Sequence, residues 1–429
     1  MKLLIIDFEE VGLPFAMRAQ EAKHDVLIWT PETKIGRGLV EKVPSWVPHM
    51  KWADLIFLTI NSKGMEALEP WHKKGFPIFG PNKAGAALEL DREAGQECFE
   101  TCGIDVLPFR TFKNYDEAIR YVEKEGRPFV SKPWGGNPNK DLSYVPKTAE
   151  DLIERLRRWK KDGLKAEFLL QEMIVGAEMA VGGWFGPGGF SRWINENWEE
   201  KRMMAGGLGP NTGEMGTVMR YVKKSKMFEE VLRPVEEELD RIHYRGYVDV
   251  NCLVDEKGVP YPLEFTCRPG WPHFNLCLHL HQGDPVGWMG DLLDGKDTLR
   301  VSEEICIGVV MAMGDYPWDL LPEKEADGWP IRGLTKTTSP SVYLSSARMG
   351  PACVKVGKPD QEVPVTAGSY VLIATGLGST VQKAQDAVYG VCDEIYWPPH
   401  RIYRNDIGCR LEDDLPKLQE HGFAKGMEY

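Results

Sequence analysis

The chain has 429 residues, of which 42% are hydrophobic and 27% charged, and it carries a formal net charge of −12. This length predicts two or three domains, and the composition is typical of a soluble globular protein. The acidic balance argues against a nucleic-acid-binding protein, because neutralising phosphates requires a basic surface. No run approaches the ~20 apolar residues of a membrane span. Nine cysteines without a CxxC pair favour a reduced, cytoplasmic protein.

Residues 1–84 are predicted to form an N-terminal α/β domain. Four apolar runs separated by amphipathic stretches predict parallel strands with crossover helices between some of them, at residues 3–6, 25–29, 55–60 and 77–79. Such a layer usually presents ligand-binding groups from the loops that follow its strands. Residues 84–102 have helical character and are predicted to form a hinge helix.

Two further domains are predicted, which makes the overall class α/β with α+β character. Residues 85–300 alternate strands and helices, with a small lobe at about 105–172, a clear amphipathic helix at 150–159 and another helix at 227–243. Residues 301–429 hold short β segments, many Gly and Pro turns, and one helix near 380–392. This pattern predicts a C-terminal antiparallel β-rich domain packed beside the core.

Lys132 follows a short predicted strand and precedes a glycine-rich loop. A lysine in this place can hold phosphates as a point charge, while Gly135 and Gly136 let the backbone approach phosphate oxygens. Lys140 adds a second cation at the far side of the loop. The loop lacks the GxxxxGK[ST] pattern. An ordinary β-hairpin with exposed lysines would also explain this segment.

A second segment, after the apolar strand at 168–170, has features of an adenosine site. Backbone groups of Gln171 and Glu172 can pair with an adenine edge, while Met173 and Ile174 cover its face. Glu178 then follows a glycine turn, where its carboxylate can accept from ribose hydroxyls. A strand and turn with a surface glutamate is the alternative.

A third segment predicts a β-hairpin that carries metal ligands. Its strands contain Asp249 with Asn251, and Glu264 with Thr266, on either side of a turn at 255–258. If the two faces coincide, their oxygens form a cluster suited to Mg²⁺. Arg268 could hold a transferring phosphoryl group or an acyl phosphate. The alternative is a solvent-facing hairpin edge.

In this order, the three segments resemble the ATP-grasp superfamily and, more closely, the phosphoribosylamine–glycine ligase family. The resemblance covers nearly the whole chain. It rests on the spacing of Lys132 and Lys140 and on five further stretches: Ile78-Phe-Gly-Pro-Asn-Lys-Ala84, Pro210-Asn-Thr-Gly-Glu-Met-Gly216, Leu263-Glu-Phe-Thr-Cys-Arg268, Met313-Gly-Asp-Tyr-Pro317 and Arg404-Asn-Asp-Ile-Gly408. It implies an ATP-grasp fold between a Rossmann-like, substrate-side N-terminal domain and the C-terminal domain.

The resemblance also implies a reaction in which ATP phosphorylates a carboxylate and an amine attacks the acyl phosphate. The cofactors would be ATP and Mg²⁺ or Mn²⁺, and the partners a small-molecule amine and carboxylate. The implied roles are phosphate binding for Lys132 and Lys140, catalysis for Lys140 and Arg268, adenine binding for Gln171–Ile174 and ribose binding for Glu178. The metal would be bound by Glu264, Thr266 and Asn251. The substrate would be contacted by Glu9, Glu10, Asn211, Thr212, Glu214 and Arg268. A monomer or homodimer is expected.

Four departures from the family concern the substrate and the metal. The phosphate-facing Gly-Gly-Arg-Glu-His loop is replaced by residues 7–12, whose acids include Glu9 and Glu10. Like charges about 4 Å apart repel by several kcal/mol at a partly buried site. Thr266 replaces a metal-binding asparagine, and Asn251 stands where many relatives carry an aspartate. Glu214 replaces a glycine, and Gln96 replaces a lysine that binds phosphate in many relatives.

Three functional hypotheses follow. The leading one is an ATP-dependent carboxylate–amine ligase with a modified, cationic or non-phosphorylated amine acceptor. The second is an authentic phosphoribosylamine–glycine ligase of purine biosynthesis. The third is a nucleotide-binding regulatory homologue with impaired catalysis, which the weakened metal site motivates.

Overall fold

The structure, a computed structural model, describes residues 1–31, 34–134, 142–314, 316–318, 323–398 and 401–429. These residues form four sheets, of four, nine, three and three strands. Helices and strands alternate along most of the chain, which confirms the mixed α/β class. No helix in the described ranges has both the length and the apolar content that crossing a membrane requires.

The N-terminal unit is a four-stranded parallel sheet. Its strands and first helices are β1 (Lys2–Ile6), α1 (Leu13–Glu21), β2 (Asp25–Trp29), β3 (Leu55–Leu58), α2 (Met65–Lys73) and β4 (Ile78–Phe79). The strand order is β2-β1-β3-β4, and every pairing is parallel. All four residues of β3 are buried, as expected for a parallel strand covered on both faces. The four predicted strands are therefore confirmed.

The predicted hinge helix at 84–102 is wrong as one continuous element. Two helices replace it, α3 (Lys83–Leu90) and α4 (Arg92–Thr101). Asp91 separates them in an extended conformation, and its side chain accepts hydrogen bonds from the backbone N–H groups of Glu93 and Ala94. A short acid that caps the next helix stops the first one.

A small lobe follows, built on the antiparallel sheet β5-β7-β6. Its elements are β5 (Phe109–Phe112), α5 (Tyr115–Glu125), β6 (Phe129–Pro133), α6 (Ala149–Lys161) and β7 (Phe168–Glu172). The predicted amphipathic helix corresponds to α6, which buries Leu152, Leu156 and Trp159 at helical spacing. Its N-cap residue, Thr148, accepts from the backbone N–H of Asp151.

The large sheet contains the predicted hairpin. The elements of this region are β8 (Gly176–Gly186), β9 (Gly189–Met204), β10 (Leu208–Val222), α7 (Glu236–Arg241), β11 (Gly246–Asp255), β12 (Pro260–Thr266), α8 (His273–Leu280) and α9 (Gly287–Leu293). The helix predicted at 227–243 is irregular. A π turn at Phe228–Leu232 and a 3₁₀ turn at Arg233–Val235 precede α7, because Pro234 removes a backbone donor.

The C-terminal region shares the large sheet instead of forming only a sheet beside it. Its elements are β13 (Ile305–Met313), α10 (Glu323–Ala326), β14 (Asp327–Pro330), β15 (Val342–Leu344), β16 (Ala347–Ala352), β17 (Gln361–Ala367), β18 (Leu372–Gly378), α11 (Val381–Glu394), β19 (Arg401–Ile402) and α12 (Leu411–Glu420). The strand order of the large sheet is β12-β11-β8-β9-β10-β13-β18-β15, so strands of the C-terminal region extend the sheet that contains the predicted hairpin. Strands β14-β17-β16 form a separate antiparallel sheet.

A buried ion pair fixes the face of β9 and β10 opposite to the predicted site. Arg220 donates to Glu196 Oε2 at 3.1 and 2.8 Å, and Ser225 donates to Glu196 Oε1 at 2.7 Å. Glu196 is only 2% exposed. Breaking one side of such a pair leaves a buried charge without compensation, which is strongly destabilising.

We therefore expect Glu196→Ala to lower the free energy of unfolding by about 3–5 kcal/mol. The matched control is Glu229→Ala, which removes an exposed partner of Arg233 and should cost less than about 1 kcal/mol. Chemical denaturation followed by tryptophan fluorescence would measure both changes. Equal effects of the two substitutions would contradict the prediction.

Candidate functional site

Lys132 lies on the small lobe and faces charged groups of the neighbouring elements. It belongs to β6, whereas Arg92, Lys201 and Glu264 lie on α4, β9 and β12. Burial, together with the charges of Arg92 and Lys201, lowers the pKa of Lys132 to about 7, while Glu264 acts in the opposite direction. An incoming anion would reverse this effect by favouring the charged ammonium.

Glu264 is the carboxylate at the centre of these cations. Its Oε1 lies 3.3 Å from Lys201 Nζ, and its Oε2 lies 3.4 Å from Arg92 Nη2. Lys201 is the main cause that holds the pKa of Glu264 well below its usual range, with Arg92 and Lys132 contributing. Three cations around one carboxylate leave surplus positive charge, which suits a polyphosphate.

Asn251 and Glu264 are directly opposed across β11 and β12, and so are Asp249 and Thr266. Opposed residues of antiparallel strands share a face, so the four side chains that the hairpin pattern singled out lie on one face of the sheet. Asn251 Oδ1 is buried and has no hydrogen-bond partner among the described residues. Its amide Nδ2 donates to Glu178 Oε1 at 2.6 Å.

The predicted metal ligands Glu264, Asn251 and Thr266 include a single carboxylate, so they fit Mg²⁺ as a site of low negative charge. In the described ranges, no three His, Cys, Asp or Glu side chains are grouped to hold a metal ion. Mg²⁺ commonly uses one or two carboxylates and takes its other ligands from water and substrate phosphates. The Glu264 carboxylate and the unpartnered Asn251 Oδ1 meet that minimum, and Thr266 adds a hydroxyl on the same face.

The predicted adenosine segment links the two sheets. Gln171 and Glu172 end β7, and β8 begins at Gly176. Gln171 is buried and Met173 is exposed, while Glu172 is paired with Arg127 at 2.6 Å. Ile174 is half-buried between the two strands. Glu178 lies beside Asn251, so the predicted ribose ligand and a predicted metal ligand are neighbours.

Three predicted phosphate-binding residues, Gly135, Gly136 and Lys140, lie outside the described residues. Their roles stay predictions. The described cations Lys132, Lys201 and Arg92 provide positive charge for a phosphate site without these three residues.

A cavity of about 830 Å³ lies between the N-terminal unit, the large sheet and the C-terminal sheet. It brings together four of the predicted substrate residues, which are Glu9, Glu10, Glu214 and Arg268. Arg268 Nη2 lies 3.3 Å from Glu89 Oε1. Glu89 Oε2 also accepts from Asn61 and from the backbone N–H of Cys267, so Glu89 links the N-terminal unit to the end of the hairpin.

The acids of the loop after β1 have different tasks. Asp7 is fully buried and accepts from the Gly12 backbone N–H at 2.7 Å and from the Thr59 hydroxyl at 2.8 Å. It therefore shapes the loop. Glu9 and Glu10 line the cavity, and Glu9 Oε1 accepts from Ser62 and lies 3.6 Å from Lys63 Nζ.

The remaining predicted substrate residues lie elsewhere. Asn211 is exposed on β10, and the Thr212 hydroxyl donates to the Lys201 carbonyl at 2.9 Å. Neither residue is among the described residues that line the cavity. Thr212 can nevertheless position Lys201. Gln96 is buried on α4, away from solvent.

Sequence reasoning missed Arg92, Lys201, Glu89 and the cavity-lining Tyr370 as site residues. Arg92 and Glu89 flank the break between α3 and α4, which was predicted as one helix. Lys201 directly follows Glu199 and Glu200, and such a run of charged residues also suits a solvated surface. The signal that could have identified Arg92 and Glu89 is their position beside Asp91, a residue type that commonly caps a helix.

Two family models match the chain. The ATP-grasp (A) domain of phosphoribosylglycinamide synthetase matches residues 91–273, and the C domain of the same enzyme matches residues 306–410. Both matches cover strands that carry the site described above.

Curated relatives and solved structures agree with these models. The phosphoribosylamine–glycine ligase of Ralstonia nicotianae is 30% identical over 352 residues, covering 79% of each chain. The enzyme of that name from Escherichia coli O6:H1 is 26% identical, covering 91% of this chain and 85% of the relative. The phosphoribosylamine–glycine ligase structure from Thermotoga maritima superposes with a TM-score of 0.72 at 21% identity, covering 95% of this chain and all of that one. The chain therefore belongs to the phosphoribosylglycinamide synthetase family and has the ATP-grasp fold.

Proposed function

We propose that this ATP-dependent ligase joins the carboxylate of glycine to an amine that carries no phosphate. Glycine is the carboxylate substrate that the name of its relatives gives. The observation that carries the proposal is the charge of the cavity. Five carboxylates and two cationic side chains line its described wall, and Arg268, one of the two cations, is already paired with Glu89.

A phosphorylated amine would meet repulsion in this cavity. Phosphate recognition normally uses several cationic or backbone donors. Here Glu9 and Glu10 occupy the loop after β1, and Glu214 faces the cavity from β10. A substrate with a free ammonium group and no phosphate matches these charges better.

Each group of described residues has its own proposed role in the reaction. Bound ATP with Mg²⁺ would supply the phosphoryl group that activates the carboxylate. Lys132, Lys201 and Arg92 would hold the phosphates, and Glu264 with Asn251 would hold the metal ion. Arg268 stands where the cavity meets these groups, and we propose that it neutralises the carboxylate and the acyl phosphate formed from it. No side-chain nucleophile is required, because positioning and charge neutralisation do the work.

Steady-state release of ADP tests the choice of acceptor. Glycine and MgATP would be supplied either with phosphoribosylamine, generated in place from ribose 5-phosphate and ammonia and corrected for the rate with ammonia alone, or with methylamine and hydroxylamine. We expect ADP formation that depends on the small amines and a rate with phosphoribosylamine at least about 10²-fold below the ~10 s⁻¹ typical of enzymes. Turnover of phosphoribosylamine at that ordinary rate would instead support an authentic phosphoribosylamine–glycine ligase.

A further inference from the structure

Glu214 is a buried carboxylate with an unused oxygen in the wall of the cavity. The residue is 5% exposed, and its Oε1 has no hydrogen-bond partner among the described residues. Burying a carboxylate without a partner is costly, so such a position is explained by a ligand that supplies the missing donor. The donor has to come from the cavity that Glu214 lines.

The charged neighbours of Glu214 lie on two strands of the large sheet and just after a third. They are Glu199 and Lys201 on β9, Asp249 on β11, and Arg268 after β12. The two cations are engaged elsewhere, since Lys201 lies 3.1 Å from Glu199 and 3.3 Å from Glu264, and Arg268 is paired with Glu89. Neither cation therefore forms an ion pair with Glu214, so a bound ligand would have to neutralise its charge.

A second unused polar atom faces the same space from the C-terminal region. Tyr370 lines the cavity, and its hydroxyl is buried without a partner in the described part of the chain. Tyr370 is close enough to Glu214 for the carboxylate to contribute to raising the tyrosine pKa, after burial and Tyr316. A carboxylate oxygen and a hydroxyl together match a group with several N–H donors.

We propose that Glu214 binds the ammonium group of the acceptor amine and accepts its proton, with the Tyr370 hydroxyl as a second contact. This inference rests on the proposed function and deepens it. It makes Glu214 a catalytic residue that selects for an amine arriving as a cation.

The proton and electron balance of the step is simple. The ammonium R–NH₃⁺ gives one proton to the Glu214 carboxylate and becomes R–NH₂. The nitrogen lone pair then forms a C–N bond with the carbonyl carbon of the acyl phosphate. The C–O bond to phosphate breaks with its electron pair on the phosphate oxygen, which takes the second proton lost by nitrogen.

The surroundings of Glu214 favour this role. Burial raises the pKa of Glu214 well above its ordinary value, and the Glu199 carboxylate raises it further, against Lys201 and Arg268. A base whose pKa lies nearer that of the amine accepts a proton with a smaller penalty than an exposed glutamate would.

Two nucleophiles separate proton transfer from the earlier steps. Hydroxylamine is largely unprotonated at neutral pH, whereas methylamine is protonated, as a lysine ammonium is. With glycine and MgATP, we expect Glu214→Gln to slow formation of the methylamide about 10²-fold more than formation of the hydroxamate at pH 7. The deficit should shrink as rising pH deprotonates the amine. Glu303→Gln, at an exposed residue outside the cavity wall, is the matched control.

The outcomes are distinguishable. Methylamide formation by Glu214→Gln at the wild-type rate at every pH would overturn the inference, and so would parallel loss of both products. A wild-type protein that forms hydroxamate but no methylamide would also overturn it. Failure of the wild-type protein to form either product would contradict the proposed function itself.

Discussion

Glu264→Ala is expected to reduce MgATP-dependent ADP formation by about 10³-fold, because it removes the charge-bearing ligand of the proposed metal site. Glu264 faces Asn251 across the hairpin, and the described residues offer no three-residue acidic, His or Cys cluster that could replace it. The substitution also leaves Lys132, Lys201 and Arg92 without their shared carboxylate. Bound phosphates would then relieve part of their mutual repulsion.

Nucleotide binding and catalysis should therefore separate in this variant. We expect Glu264→Ala to bind ATP in the absence of metal at least as tightly as wild type, because a negative charge has been removed from the phosphate site. Isothermal titration calorimetry with and without Mg²⁺ would measure this, and Glu264→Gln would control for side-chain volume. Unchanged ADP formation in both variants would contradict the assignment of Glu264. A wild-type protein that binds ATP but forms no ADP with any amine would support the regulatory alternative.

The hairpin could be predicted from sequence because its geometry is local. Alternation along β11 and β12, together with a turn at 255–258, fixes which residues of each strand share a face. The register in the structure shows that the two faces coincide and that Asn251 opposes Glu264. The position of Lys132 at the end of a strand could be predicted for a similar reason, since it follows a short apolar run. These features depend on a few neighbouring residues.

The partners of these residues could not be predicted in the same way. Lys201 and Arg92 reach Glu264 from 63 and 172 residues away along the chain. Their distance from Glu264 depends on how the sheets and helices pack against each other, and the periodicity of the sequence does not indicate that packing. The acids of the first loop show the same limit. In the sequence, Asp7 and Glu9 look alike as acids of one loop. The structure shows that the Asp7 carboxylate points inward and accepts a hydrogen bond from the Thr59 hydroxyl.

Lys201→Met is expected to lower kcat/KM for ATP-dependent ligation by about 10²–10³-fold. Lys201 lies close to two acids of the site, 3.1 Å from Glu199 and 3.3 Å from Glu264. Burial lowers the pKa of Lys201, but Glu199, Glu264 and Glu178 outweigh this and raise it well above the ordinary value. The ammonium is therefore charged throughout the range in which enzymes are assayed, and its loss removes a permanent charge.

The pH dependence of Lys201→Met distinguishes this electrostatic role from a packing role. Lys201 is the main cause of the lowered pKa of Glu264, so its removal should bring that pKa back toward its ordinary value. A carboxylate with a lowered pKa is ionised until pH falls through that pKa, so the acid limb of the kcat/KM profile should move to higher pH in the variant. Lys201→Arg, which keeps the charge, should retain the wild-type limb even if its rate falls. An acid limb at the same pH in all three proteins would show that Lys201 does not control the ionisation of Glu264.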